Sequence, residues 1–157
     1  MRQLTMLGVA CLAAFSLLSV ARADDDKCKD VNGHDVVTVI PAPNDLGRVL
    51  GQSIGDLKAS ISTVLTSDTT SLDVWVLGPQ DILIFNGNVN LAPVPGAPEG
   101  TVSGSATLTV TGGTGEFAGA SGALYLTITG FNVFGPNAGP GSTYFDETYK
   151  GNICRPK

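Results

Sequence analysis

Two stretches of strict two-residue alternation constrain this chain more than anything else in it. Between Ser103 and Thr111, Ala106, Leu108 and Val110 alternate with Thr107, Thr109 and Thr111. Between Ala123 and Phe131 the rhythm returns, with Leu124, Leu126 and Ile128 set against Tyr125, Thr127 and Thr129. Successive side chains of a strand point to opposite faces, so this spacing puts apolar groups on one side and mostly hydroxyl groups on the other. That is the pattern of an antiparallel sheet with one face buried and one in water. A helix would scatter both sets around its circumference.

The rest of the chain agrees. Val36–Ile40 is β-branched and follows a turn-prone Val31-Asn-Gly-His34. Lys58–Leu65 alternates moderately well, and Asp81–Leu91 follows the Gly78-Pro79 breaker. Leu72–Leu77 sets Leu72, Val74 and Val76 against Asp73, Trp75 and Leu77, and Thr143–Tyr149 supplies a last strand. Only Asn44–Leu50 reads as a helical turn, with Asn44 as its cap. The Gly/Pro-rich segments Ala92–Gly100 and Gly135–Gly141 read as surface loops, because strand patterning resumes on either side. Short strands at this spacing predict an all-β fold, a small antiparallel barrel of about eight strands.

Residues 1–23 carry a different signal. Arg2 precedes an apolar run from Met6 to Val20, then Ala21-Arg22-Ala23 and an abrupt Asp24-Asp25-Asp26. This is the layout of a secretory signal peptide with a small-x-small cleavage site, and the run is short for a bilayer span. It predicts a single barrel domain over 24–157, secreted or periplasmic. The chain holds 14 acidic against 9 basic residues, and losing Arg2 and Arg22 makes it more acidic still. Such a surface argues against nucleic acid or anionic membrane as partner. No second apolar run is long enough to be a transmembrane helix.

Cleavage would leave two cysteines, Cys28 and Cys154, one near each end. In an oxidising compartment they have one intramolecular pairing available. Closing so long a loop is worth roughly 5 kcal/mol in the chain-entropy picture. Neither a CxxC spacing nor a set of nitrogen ligands supports a redox or metal role. The pairing predicts termini lying side by side.

The most specific text is Val110-Thr-Gly-Gly-Thr-Gly-Glu-Phe-Ala-Gly-Ala-Ser-Gly122. It reads as a strand, a glycine turn and a second strand, with Phe117 plugging the end of the core and Glu116 exposed. A phosphate-binding glycine loop needs a following helix, and here a strand follows. Together with Ile84-Phe85-Asn86-Gly87 upstream, the motif resembles the allene oxide cyclase barrel superfamily, which includes plant dirigent proteins and bacterial barrel cyclases. The resemblance implies an eight-stranded barrel with a mostly apolar cavity, often assembled as a homotrimer. It also implies a function: binding a small lipophilic or aromatic molecule and steering its cyclisation or coupling. Dirigent proteins usually carry Ala-Arg-Gly at the motif's end; here Ala120-Ser121-Gly122 lacks that arginine, which speaks against phenoxy-radical coupling.

The residues themselves offer few catalytic sets. His34 is the single histidine and reads as a solvated turn residue, so a Ser-His-Asp or Cys-His arrangement has little to build on. A zinc site lacks ligands, no cofactor is implied, and Asp24-Asp25-Asp26 reads as a solvated terminus. Asp73 is the candidate catalytic group. If its face points inward beside Trp75, burial would raise its pKa and suit it to acid–base work; if outward, it is an ordinary solvated residue and Trp75 a subunit contact. Asp146-Glu147 gives one carboxylate to each face of the last strand. Asp146 is taken as a ligand-binding candidate with Trp75, Tyr125 and Tyr144. The alternative function is a non-enzymatic secreted carrier or surface protein.

Overall fold

The structure, a computed structural model, describes residues 27–40 and 47–156. The expected signal peptide, Asp24-Asp25-Asp26 and Asn44 lie outside the described residues. Eight strands form one closed antiparallel barrel in simple sequence order. They are β1 (Lys27–Ile40), β2 (Arg48–Gly55), β3 (Ala59–Ser67), β4 (Thr70–Val76), β5 (Ile82–Pro93), β6 (Val102–Thr114), β7 (Ser121–Phe131) and β8 (Tyr144–Arg155). The helical segment among the described residues is a 3-10 turn, Gly115–Phe117, joining β6 to β7.

Alternation decides what goes inside. On β7, Leu124, Leu126 and Ile128 are buried while Tyr125 and Thr127 face water. On β6, Ala106 and Leu108 do the same against Thr107 and Thr109. Closure comes from β1 pairing with β8 over twelve residues, from Lys27↔Arg155 to Thr38↔Tyr144. Cys28 and Cys154 are direct register partners in that seam and form the disulfide. A closed barrel leaves no strand edge unpaired. No helix among the described residues is long and apolar enough to cross a membrane.

Two local expectations are corrected. Leu50 and its neighbours form the second strand rather than a helical turn. Val31-Asn-Gly-His34 does not turn; it lies inside β1. A side chain on Gly33 would collide with the Tyr149 hydroxyl, 2.3 Å from an added Cβ, so this glycine provides space instead of a turn. The motif between β6 and β7 behaves as expected. Gly115 takes a positive φ of 59° to start the 3-10 turn, and Phe117 is buried as the plug at the disulfide end.

Candidate functional site

The inner face of β4 carries Ser71, Asp73 and Trp75, all buried, while Leu72 and Val76 face outward. The inward alternative for Asp73 and Trp75 therefore holds. Trp75 belongs to the packed half of the barrel near the disulfide. It meets Phe85 edge-on at 5.5 Å and Tyr149 at 5.4 Å between ring centroids. Leu83, Leu124 and Ile153 complete that layer. The Tyr149 hydroxyl accepts the Leu57 N–H at 3.1 Å. The Trp75 Nε1–H is buried without an acceptor.

Moving towards the opposite end, the interior turns acidic. Asp35 on β1, Asp73 on β4 and Glu147 on β8 all point inward. Asp35 and Glu147 are register partners on adjacent strands, which places their side chains next to each other. Asp73 is satisfied: Ser71 Oγ donates to it at 2.6 Å, and Thr63 Oγ1 donates to its other oxygen. Gly87 makes room for this arrangement, since an added Cβ would lie 2.0 Å from Ser71 Oγ and 3.1 Å from Asp73 Oδ2. Asp35 is different. It is fully buried and neither carboxylate oxygen has a hydrogen-bond partner.

Burial disfavours the ionised form of each acid. It pushes Asp35 from 3.8 to about 6, against the pull of the Ser53 hydroxyl and of His34, with the Asp73 charge adding a little to the rise. Glu147 is pushed from 4.5 to about 8 by burial first, then by the charges of Asp35, Asp73 and Asp146. Asp73 is raised too, against the pull of its two hydroxyl donors. Neighbouring acids thus hold their protons over different pH ranges, the arrangement from which acid and base roles are made. Among the described residues no group of three His, Cys, Asp or Glu side chains is placed to hold a metal ion.

Above the carboxylates the barrel opens into an apolar mouth of about 350 Å³, lined by Val39, Val49, Leu65, Val133 and Phe145 among others. One inward step down β8 from Phe145 is Glu147, and one step down β3 from Leu65 is Thr63, the donor to Asp73. Glu147 thus lies one inward step below the mouth with Asp35 beside it on β1, and none of the three acids is part of the mouth's lining. The β7–β8 loop folds over its rim and is tied to β1. Gly141 N–H donates to the Val39 carbonyl at 3.1 Å, and Thr38 Oγ1 donates to the Thr143 carbonyl at 3.0 Å.

Three of the expected binding residues lie elsewhere. Tyr125 is 56% exposed and Tyr144 41%, both on the outer surface, where Tyr144 stacks on Phe131. Asp146 is also outside and pairs with His34 at 2.7 Å; His34 is therefore a strand residue with a carboxylate partner. The reason is parity. Inward positions are even-numbered on β7 and odd-numbered on β8, so Glu147, not Asp146, is the inward acid. The residue missed outright is Asp35. Its signal was available, because Val31, Asp35, Val37 and Val39 share one alternating, otherwise apolar face.

The outer face of β3–β5 carries an apolar strip bordered by Ser60, Ser62 and Asn86. Leu72, Val74 and Val76 lie beside Val64 on one flank and Ile82 and Ile84 on the other, in register. No family model matches the chain, and no curated protein or solved structure matches it.

Proposed function

We propose that this is a secreted barrel of the allene oxide cyclase and dirigent type, which takes a small lipophilic or aromatic molecule into its apolar mouth. The observation that carries the reading is the apolar mouth set over inward carboxylates of unequal acidity. At neutral pH Glu147 keeps its proton and Asp35 largely gives its own up. A bound molecule would therefore meet a proton donor and an acceptor on neighbouring strands, suited to guiding a cyclisation or coupling by position and proton transfer. Asp73, held by Ser71 and Thr63, completes the acidic floor. The missing motif arginine favours closed-shell chemistry over radical coupling.

Native mass spectrometry of the oxidised, exported protein tests this. A reproducible extra mass that is lost on denaturation and absent from Leu65→Arg supports a filled mouth. A clean, empty chain that also takes up no added lipophile would overturn the reading in favour of a non-enzymatic carrier or surface protein.

The apolar outer face supports a second element of the proposal, self-association. Monomeric proteins seldom leave a contiguous apolar patch of this kind in water. The family resemblance implies a trimer. Sedimentation of the wild type against Val74→Arg distinguishes an oligomer held by this face from a monomer.

A further inference from the structure

We infer that the molecule held in the mouth is a lipophilic cation, an amine whose ammonium group reaches the Asp35 carboxylate while its apolar body occupies the mouth. This rests on the small-molecule reading above and names its ligand class.

The argument begins with an unmet requirement. Buried carboxylates are normally paired or hydrogen-bonded, because an isolated buried charge is costly. Asp73 meets that rule with two hydroxyl donors, yet Asp35, with no exposure at all, has no such partner at either oxygen. The nearby Ser53 hydroxyl eases its acidity but donates to the Leu57 carbonyl at 2.7 Å. Both free acceptors belong to a side chain that faces the interior beside Glu147.

Among the described residues no internal cation answers it: every lysine and Arg48 is exposed. Arg155 lies at the disulfide end and pairs with Glu116. His34 lies on the outer face of β1 and is engaged by Asp146. Three acids face the interior, Asp35 from β1, Asp73 from β4 and Glu147 from β8; at neutral pH Asp35 is largely ionised while Glu147 keeps its proton. The other groups that face it are Ser53, Thr63, Ser71 and Tyr149, all uncharged at neutral pH. An anionic ligand such as a fatty acid would set a further negative charge against Asp35 in an enclosed, low-dielectric space. A metal ion is disfavoured because the acids do not converge as a ligand set. An organic ammonium supplies several donors from one atom and leaves an apolar remainder for Val39, Val49, Leu65 and Phe145.

Three probes with one apolar body separate the possibilities: phenylbutylamine, phenylbutanol and phenylbutanoate. Titrations of the full oxidised protein at pH 8 would be followed by calorimetry and by the fluorescence of Trp75, the single tryptophan. The amine is expected to bind about tenfold or more tightly than the alcohol, a charge-assisted contact being the difference, and the carboxylate weakest. Asp35→Asn should erase the preference, bringing the amine's affinity down to about that of the alcohol. Glu147→Gln, checked for folding by thermal melting, should reduce the preference only in part. Amine binding in the wild type should weaken from pH 8 to pH 5 as the acids take up protons.

Equal or tighter binding of the alcohol would overturn the cation while leaving the small-molecule reading intact. An amine preference that survives both Asp35→Asn and Glu147→Gln would overturn the assignment to this cluster. If none of the three binds, the small-molecule reading itself fails, and the cation with it.

Discussion

Glu147→Gln should change how the stability of this barrel depends on pH, and the size of the effect follows from the geometry. Glu147 points inward beside Asp35, and burial with the surrounding acids raises it from 4.5 to about 8. A raised carboxylate binds its proton more tightly in the folded state than in the unfolded chain. Stability from this source is therefore complete below about pH 4, and is lost as pH climbs through the folded value. For Glu147 the full loss is about 5 kcal/mol, and for Asp35, raised to about 6, it is about 3 kcal/mol. These are ceilings, because water entering by the mouth and local relaxation relieve part of the penalty. Against a total stability of about 5–15 kcal/mol, even half of that sum is large.

The assay is urea unfolding of the oxidised protein at half-unit steps from pH 4.5 to 9. The wild type should lose about 3–5 kcal/mol over that range, steeply up to about pH 6 where both acids contribute. An upper phase follows from about pH 6 to 8, where Glu147 alone contributes, with little change beyond. Glu147→Gln should remove the upper phase. It should equal the wild type within about 1 kcal/mol at pH 4.5 and exceed it by about 2–4 kcal/mol at pH 9. A wild-type profile that is flat or rising between pH 5 and 9 would refute the reasoning. So would a variant that retains the upper phase, since the acid responsible would then not be Glu147.

Other outcomes follow from single contacts. Trp75→Ala, which empties the space between Phe85 and Tyr149, should cost about 3–5 kcal/mol in the same unfolding assay. Gly87→Ala drives a methyl into Ser71 Oγ and Leu108; a loss of about 1–3 kcal/mol is expected, and combining it with Ser71→Gly should restore part of it. Replacing Cys28 and Cys154 by serine should cost about 2–5 kcal/mol with the spectrum of an all-β fold retained at low temperature. A double variant as stable as the wild type would show that the β1–β8 ladder needs no clasp.

The barrel was legible where alternation was clean. Leu124, Leu126 and Ile128 against Tyr125 and Thr127 leave only one sheet face that can be buried, and they lie as expected. The second strand was hidden because its two faces do not contrast. Val49, Gly51 and Ser53 point inward and Leu50, Gln52 and Ile54 outward, so apolar and polar residues occur on both. Gly33 misled for a related reason. An Asn-Gly pair has the chemistry of a turn, and only the distant Tyr149 hydroxyl explains why the glycine is needed within a strand. At the site, the inward choice for Asp73 and Trp75 could be framed but not decided from β4 alone, whose more apolar face, Leu72, Val74 and Val76, is the one turned outward. Local text could say that Asp146 and Glu147 take opposite faces; only register with β1 says which one meets Asp35. Long-range pairing is a property of the whole ring, and no window of sequence contains it.

The seam between β1 and β8 also sets a schedule. The strand that is synthesised earliest needs, on one side, the strand that is synthesised last, its cysteine partner lying 126 residues downstream. Hairpins can form locally as each pair of strands appears, but the ring cannot close before nearly the whole chain is present, and contacts this distant in sequence are slow to find. Until that moment both β1 and the growing end expose open ladders, the state in which β-proteins are most prone to pair with each other. The interval ends when β8 arrives, and the disulfide then makes the closure hard to reverse.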